Sequence, residues 1–451
     1  MPYIGRAPTS TATKLEDADQ DTKIQVEESS DEDTIRFDIA GAEDFTMSAN
    51  SLNVLTGSVV ALPDGAVGTP ALTNTGDLNT GVYFPAADTV GVVAGGTEQF
   101  RFGSNPIPGG SKNLLINGDM RIKQRSTMPT TGTGYTLDGW EYGETGATVA
   151  TITQDTDVPS GKGFSNSLKI VVATEDSSVA AGDYVILTQR IEGQNLQHLE
   201  YGHADAKSLT VSFWTKRPLT GTHCVAIYSQ DATHRSYVRE FTIASADTWE
   251  YFSLTFPGDA SGNINDDSGA GIDLIFPLMT GSTFQISADT WSAGQDWATS
   301  SIVNDVGIAD DIIYLTGVQL EVGDVATDFA HEELGTTLRK CQRYLHYQNR
   351  TSNSDDHIFA AGKCNSTTVA EFVFAHPVTM RSAPTMSVSA VDDLAIRHGN
   401  TQTICTNLVT LVSGANNACL TATVSSGLTA GEGALLYVHT NLDHIQWSAE
   451  L

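Results

Sequence analysis

The sequence predicts an all-β fold, and three observations support this prediction. Glycine, serine, threonine, asparagine and aspartate are abundant, whereas lysine is scarce. Short runs such as residues 209–214 and 252–256 alternate apolar with polar side chains, which is the period of a strand with one buried face. Clusters of glycine, asparagine and aspartate separate these runs and favour tight turns. We therefore expect many short strands joined by turns, in an elongated molecule.

Length and charge limit the possible partners. A chain of 451 residues is expected to form roughly two to four domains. It has 54 acidic and 24 basic residues, and its formal net charge is −30. Because nucleic acids and anionic membranes attract proteins largely through lysine and arginine, this charge argues against both as partners. We interpret the charge mainly as a determinant of solubility, with a divalent-cation role as the alternative.

The cysteines and the apolar runs argue against a disulfide framework and against membrane insertion. The five cysteines form no C-x-x-C pair, so we expect free thiols. No apolar run approaches the ~18 residues that a membrane span needs, and the opening residues do not resemble a signal peptide.

The first 111 residues are expected to form a docking arm followed by a shaft. Residues 1–40 are polar and acidic, and we interpret them as an N-terminal segment that would be disordered when free and that docks on a partner. Residues 33–47 and 79–102 are weak repeats, each with a short strand, then Ala-Gly, then Glu-x-Phe. Such units are too small to bury their own apolar residues. We therefore interpret residues 41–111 as a thin β shaft intertwined with other copies of the chain.

The remaining residues are expected to form two β domains joined by a helix. Residues 112–330 show strand after strand, which predicts one large β-sandwich or jelly roll. Residues 331–349 form the predicted connecting helix, and residues 350–451 a C-terminal β domain of ordinary size. The predicted helix has apolar residues spaced by four, three and four, which are Leu334, Leu338, Cys341 and Leu345. This spacing fits either a trimer seam or a helix face packed on a neighbouring sandwich.

Several motifs occur in an order that resembles the tail fibres of tailed bacteriophages. The strings DTKIQVEESSDEDTIRFDIAG and GDLNTGVYFPAADTV look like shaft elements of such fibres. NLLINGDMRIKQR, YTLDGW, SFWTKRP and YLTGVQLEVGDVATDF resemble their jelly-roll domain, which is similar to carbohydrate-binding modules. CQRYLHY and FVFAHPVTMRSAPT are similar to the helix and the C-terminal domain that often follow. The resemblance covers most of the chain and implies a homotrimeric virion fibre that docks by its N-terminus and contacts a host receptor with its distal domains.

Aromatic residues are the candidate ligand-binding groups. A β-sandwich binds sugars by stacking them on exposed rings and by hydrogen-bonding their hydroxyls. Five aromatic residues lie in polar or turn-like surroundings or on the polar face of a strand: Trp291, Trp297, Trp140, Tyr142 and Trp214. Burial under a loop or in a subunit interface is the competing interpretation for each of them. Trp249 is expected in the core.

The sequence predicts neither catalytic residues nor a cofactor. It contains no nucleophile elbow, phosphate-binding loop, HExxH motif or dinucleotide fingerprint. The eleven histidines lack the spacing of a ligand set, so no metal centre is expected from them. Calcium remains possible at the oxygen-rich residues 259–269 and at Asp310 and Asp311, although Ile264 occupies the place of the glycine that an EF-hand requires.

Taken together, these features favour a non-enzymatic fibre of a phage tail that attaches the virion to a host surface glycan or outer-membrane receptor. The expected partners are further copies of the chain, other phage tail proteins at the N-terminus, and the host receptor. Two alternatives are a virion-associated polysaccharide depolymerase and a purely structural fibre or collar spacer.

Overall fold

The computed structural model describes residues 14–26, 33–87, 89–102, 112–231, 234–349, 358–438 and 444–451. The chain divides into two compact units, Met1–Pro106 and Ile107–Leu451. In the described ranges the secondary structure is mostly antiparallel β with one short α-helix, which confirms the mostly β prediction. None of the helices in these ranges is both long enough and apolar enough to cross a bilayer. Residues 1–13 and 27–32 of the predicted docking segment lie outside the described residues.

The first unit contains two meanders, in which consecutive strands pair. The first sheet crosses the predicted domain boundary at residue 40. Both weak repeats contain a hairpin whose turn has two consecutive residues with positive φ, Ala40 with Gly41 and Gly95 with Gly96. The strands are β1 (Lys14–Glu16), β2 (Lys23–Val26), β3 (Ile35–Ile39), β4 (Ala42–Ser48) and β5 (Ser51–Val54) in the first sheet, and β6 (Leu72–Asn74), β7 (Asp77–Tyr83), β8 (Val90–Ala94) and β9 (Thr97–Phe102) in the second.

One face of the five-stranded sheet in the first unit, β1 to β5, is apolar from edge to edge. Strand register aligns two rows of apolar residues, and alternate residues of a strand share a face, so the rows lie side by side. Most of these side chains are exposed, and the three clusters of buried hydrophobic residues in the described part of the chain all belong to the second unit. The rows are Leu15, Ile24, Phe37, Phe45 and Val54, and Val26, Ile35, Met47 and Leu52.

The second unit begins with a two-layer β-sandwich. One layer is a seven-stranded sheet in the order β10-β11-β14-β19-β16-β17-β20, and the other is a five-stranded sheet in the order β12-β13-β21-β15-β18. The strands are β10 (Gly134–Tyr135), β11 (Glu141–Thr145), β12 (Val149–Asp155), β13 (Ser167–Thr174), β14 (Tyr184–Glu192), β15 (Leu209–Lys216), β16 (Gly221–Ser229), β17 (Arg235–Ile243), β18 (Trp249–Phe256), β19 (Ala270–Thr280), β20 (Ser292–Ala293) and β21 (Ile312–Val322).

The sandwich core contains the residues that the period-two pattern places on one strand face. Leu209, Val211 and Phe213 of β15 are buried against Leu274 and Phe276 of β19 in the opposite sheet. Their burial confirms the alternation, and it leaves the intervening residues of β15 on the outer face of the five-stranded sheet.

A short helix and two small β structures complete the second unit. The helix is α1 (Leu334–Gln342), and short 3-10 turns occur at Gly193–Asn195, Gln197–Leu199, Ser282–Phe284 and Val391–Asp393. A three-stranded sheet has the order β22-β30-β25, and a closed barrel has the order β23-β24-β28-β27-β26-β29. The strands are β22 (Leu345–Asn349), β23 (Ile358–Cys364), β24 (Val369–Ala375), β25 (Thr385–Val388), β26 (Leu394–His398), β27 (Thr401–Ser413), β28 (Asn417–Val424), β29 (Gly433–Val438) and β30 (His444–Ser448).

The apolar spacing that predicts either a trimer seam or a packed helix face is helical as far as Gln342. Leu345 does not continue the helix but begins β22 and pairs with Ser448 of β30. Cys341 and Leu345 are buried within the chain, whereas Leu334 is exposed and Leu338 is half-buried. Long-range strand pairing overrides the helical spacing after Gln342, and α1 packs within its own chain as a connecting helix.

The two outer faces of the sandwich differ in what covers them. Glu192 at the end of β14 accepts hydrogen bonds from Arg343 and Tyr344, which lie just after α1. The segment that contains Phe284 and Trp297 packs on the same side, against β14 and β16. The seven-stranded sheet is therefore largely covered by its own chain, and an open groove lies on the outer face of the five-stranded sheet.

Candidate functional site

The floor of the groove is a pair of aromatic rings on neighbouring strands. Trp214 of β15 is opposite Tyr251 of β18 in the strand register, and their ring centroids are 5.3 Å apart with the planes inclined at 49°. Both side chains lie on the outer face because their neighbours Phe213 and Phe252 pack inward. Tyr251 is 46% exposed and Trp214 is half-buried. The pair presents accessible ring surface next to hydroxyl and indole groups.

One wall of the groove is a cluster of three rings from two loops. Phe164 precedes β13, and Phe329 and His331 follow β21. The ring centroid of Phe164 lies 5.2 Å from that of Phe329 and 5.4 Å from that of His331. These contacts join the two loops above the sheet.

A glycine and a bulge in β21 make room for this wall. Ser212 and Trp214 pair with Gln319 and Thr316, so β21 has one extra residue at this point. Gly317 in the bulge has φ +62°, and a Cβ at this position would lie 2.5 Å from Cζ of Phe164. A side chain at residue 317 would therefore displace the ring that forms the wall.

The groove is large enough for a sugar unit and has polar groups at its edge. Its cavity volume is about 450 Å³, and Lys162, Asp328 and His331 line it together with the aromatic rings. Nζ of Lys162 lies 5.4 Å from the ring centroid of Trp214. The arrangement combines stacking surfaces with hydrogen-bond donors and acceptors, which is what binding of a neutral or charged saccharide requires.

A second set of side chains on the same face is internally paired. Asp157 accepts hydrogen bonds from Nε1 of Trp249 at 2.9 Å and from Nζ of Lys216 at 2.7 Å. Burial acts to raise the pKa of Asp157, but the hydrogen bonds from Lys216 and Trp249 lower it below the usual value. Lys169 pairs with Asp155 at 3.1 Å. These contacts link side chains on the sheet face beside the groove. Trp249 lies half-buried on this outer face, whereas the sequence predicts it in the core.

Trp140 and Tyr142 were predicted as ligand-stacking residues, but both are fully buried in the sandwich core. Nε1 of Trp140 donates to the carbonyl oxygen of Asn117 at 3.2 Å, and its ring packs near Phe276. The turn-like sequence around them lies at the entry to β11, where the rings point inward. Burial removes both rings from any surface that a glycan could reach.

Trp291 and Trp297 lie away from the groove. Trp291 is half-buried beside Tyr237, and its Nε1 donates to the carbonyl oxygen of Pro257 at 3.0 Å. Trp297 is buried and stacks on Phe284, with ring centroids 4.4 Å apart and planes 4° from parallel. Of the five predicted aromatic residues, Trp214 is the one that lines the groove.

Two of the three carboxylates in the predicted calcium loop, residues 259–269, are engaged by protein donors. Asp259 is buried and forms a two-point ion pair with Arg235, and Asp267 accepts a hydrogen bond from the backbone of Gly269 at 2.7 Å. Within the described part of the chain, the group of three or more potential metal ligands that come close to one another is the exposed set Asp17, Asp19 and Asp21 in the first unit.

Several groove residues were missed by the sequence analysis. Tyr251 could have been found, because the alternation that places Phe252 inward also places its neighbour outward. Phe164, Phe329 and Lys162 lie in loops, and no periodic signal assigns a loop residue to a sheet face. Lys162 contacts Trp214 and Phe164 contacts Phe329, and both contacts join segments far apart in the sequence.

No family model matches this chain. No curated protein matches it significantly. Among solved structures, it has distant similarity to a phage tailspike domain and to carbohydrate-binding modules. The enzymatically active domain of tailspike protein 4 from bacteriophage CBA120 is 17% identical, with a TM-score of 0.28, and the match covers 47% of this chain and 21% of that one. A family 11 carbohydrate-binding module from a cellulosomal cellulase of Clostridium thermocellum is 12% identical, with a TM-score of 0.24, over 44% of this chain and 98% of the module. A family 11 module from the same organism in complex with a β-1,3-1,4-mixed-linked tetrasaccharide is 10% identical, with a TM-score of 0.25, over 45% and 100% of the two chains.

Proposed function

We propose that the groove on the outer face of the five-stranded sheet of the sandwich binds a glycan. The observation that supports this function is the ring pair of Trp214 and Tyr251, which forms an accessible aromatic floor beside polar side chains. One face of a pyranose ring is apolar enough to stack on such rings, and its hydroxyls need nearby donors and acceptors. Lys162, Asp328 and His331 supply these groups.

Replacing the aromatic floor tests the proposal. Trp214→Ala and Tyr251→Ala each remove a stacking surface without opening the sandwich core, because both rings lie on its outer face. We expect each variant to lose about tenfold or more in glycan affinity, as is typical when a central aromatic contact is truncated. Glycan-array binding of the purified wild type, followed by titration of the best ligand, provides the measurement.

Trp291→Phe is the matched control, because Trp291 is a half-buried tryptophan outside the groove. It should keep wild-type affinity. If Trp214→Ala and Tyr251→Ala bind as well as the wild type while their circular dichroism and Tm are unchanged, the groove is not the glycan contact. A loss of affinity in Trp291→Phe instead would move the contact to that side of the sandwich.

In the wider role that we propose, the chain is a non-catalytic attachment fibre of a phage virion. This role rests on the motif order in the sequence and on the apolar sheet face of the first unit, whose exposed rows favour assembly with further copies of the chain. A non-catalytic fibre binds its glycan without cleaving it, so the release of new reducing ends from a bound glycan would favour the depolymerase alternative.

A further inference from the structure

Lys162 has an electrostatic setting that differs from those of Lys169 and Lys216 on the same side of the sandwich. Lys169 and Lys216 each pair with an aspartate, at 3.1 Å and 2.7 Å. Lys162 is exposed, and among the described residues no carboxylate lies within ion-pair distance of its Nζ. Its contact is with the ring of Trp214, 5.4 Å away.

The groove thus carries a cation in a chain that is otherwise strongly acidic. Acidic residues outnumber basic ones by 54 to 24 over the sequence. The groove is lined by one lysine, one aspartate and one histidine: Lys162, Asp328 and His331. Nζ of Lys112 lies close by and donates to the backbone oxygen of Asp328 at 3.3 Å. The charges of Lys162 and Asp328 balance in the groove lining, whereas the net charge of −30 on the whole chain acts to repel an anionic ligand.

Occupation of the aromatic floor changes the surroundings of the Lys162 ammonium. A sugar that stacks on Trp214 takes the ring face that Lys162 contacts in this structure. When a neutral sugar binds, the ammonium loses its contact with the ring and gains contacts with hydroxyls and water. When the sugar has a carboxylate, a charge-assisted hydrogen bond replaces the ring contact. Lys162 therefore favours an acidic ligand over a neutral one of the same shape.

We infer that the ligand of the groove is an acidic glycan, with a carboxylate-bearing sugar stacked on Trp214 and its carboxylate bound by Lys162. This inference rests on the proposed glycan-binding function and adds the substrate class and the residue that selects it. Asp328 lines the same groove, and its carboxylate would accept hydrogen bonds from sugar hydroxyls.

The test compares acidic with neutral glycans and varies one charge. The array pairs carboxylate-bearing oligosaccharides with their methyl esters. It is probed with the wild type, Lys162→Gln, Lys162→Arg and the control Lys363→Gln. Lys363 is an exposed lysine on the barrel strand β23. We expect the acidic member of each bound pair to bind better. Lys162→Gln should weaken it about fivefold, the size of one partly exposed ion pair. Lys162→Arg should retain most of the affinity, Lys363→Gln should match the wild type, and added salt should weaken acidic binding.

The outcomes separate this inference from the proposed function. If the wild type binds glycans but prefers the methyl esters, or if Lys162→Gln keeps full affinity for the acidic members, the groove is a glycan site and the acidic assignment is wrong. If the wild type binds no glycan on the array, the proposed function itself fails and the assignment fails with it.

Discussion

At the scale of single residues, Gly317 decides whether the groove has its aromatic wall. Its positive φ and its closeness to Phe164 leave no room for a Cβ. We expect Gly317→Ala to displace Phe164, to weaken glycan binding, and to lower the free energy of unfolding by about 1–2 kcal/mol through backbone strain. Thermal denaturation and titration with the best array ligand measure the two effects.

Gly132 supplies the control for this substitution. It has φ +70°, close to that of Gly317, and a Cβ there would meet no atom within 4 Å. Gly132→Ala should therefore show the strain without the loss of affinity. Equal affinities for the two variants would mean that the position of Phe164 does not matter for binding.

The same scale shows how far the sequence predicts the site. Alternation in β15 placed Trp214 on the polar face of its strand, and the structure has it there. Trp140 shows the opposite outcome, since a polar, turn-like context did not reveal that its ring lies in the core. Local sequence determines the side of a strand on which a residue lies, whereas the direction of a ring in a loop depends on distant partners such as Phe276 and Asn117.

At the scale of secondary-structure elements, tertiary pairing explains where the sequence patterns mislead. The spacing of Leu334, Leu338 and Cys341 predicts a helix correctly, but the same pattern extended to Leu345 is interrupted by strand pairing with β30, a segment about 100 residues away. The period-two strands were predicted more reliably, because one face of each is buried in the sandwich whatever its partner is.

The contact between β14 and the end of α1 is expected to depend on pH. Burial acts to raise the pKa of Glu192, but hydrogen bonds from Arg343 and Tyr344 lower it below the usual value. Because the pKa is lower in the folded state, the charged form of Glu192 contributes its full stabilisation above the ordinary glutamate pKa of about 4.3. This stabilisation is lost as the pH falls through the lowered pKa. Because the Arg343 side chain is 30% exposed, we expect Glu192→Gln to cost about 2 kcal/mol at neutral pH.

Denaturation of the wild type and Glu192→Gln over a range of pH checks this expectation. The difference in stability should be constant near neutral pH and should shrink in acid. Glu200→Gln is the control, because Glu200 forms an exposed pair with Lys207 at 3.4 Å, and we expect a change of about 0.5 kcal/mol or less. A difference between wild type and Glu192→Gln that persists unchanged into acid would assign the effect to packing and not to charge.

At the scale of the whole molecule, the chain combines a strongly negative charge with one extended apolar sheet face. Like charges separate copies of the chain in solution, and a net charge of −30 makes this repulsion large. The apolar rows of the first unit oppose it, because they have no charged side chain and their exposure to water is unfavourable. The opposite face of the same sheet carries polar groups, among them Lys23 and Asp38, which pair at 3.1 Å.

This difference between the faces predicts self-association through the apolar one, with a trimer as the expected state. Leu52→Glu places a carboxylate in the row that contains Met47 and Ile35, and burying an unpaired charge costs several kcal/mol. We expect sedimentation to give a trimer for the wild type and a dissociation constant more than about tenfold higher for Leu52→Glu. Asn53→Glu adds the same charge to the other face of β5 and should leave the trimer intact. A monodisperse wild-type monomer would rule out assembly through this sheet, because the apolar rows would then be stable in water without a partner.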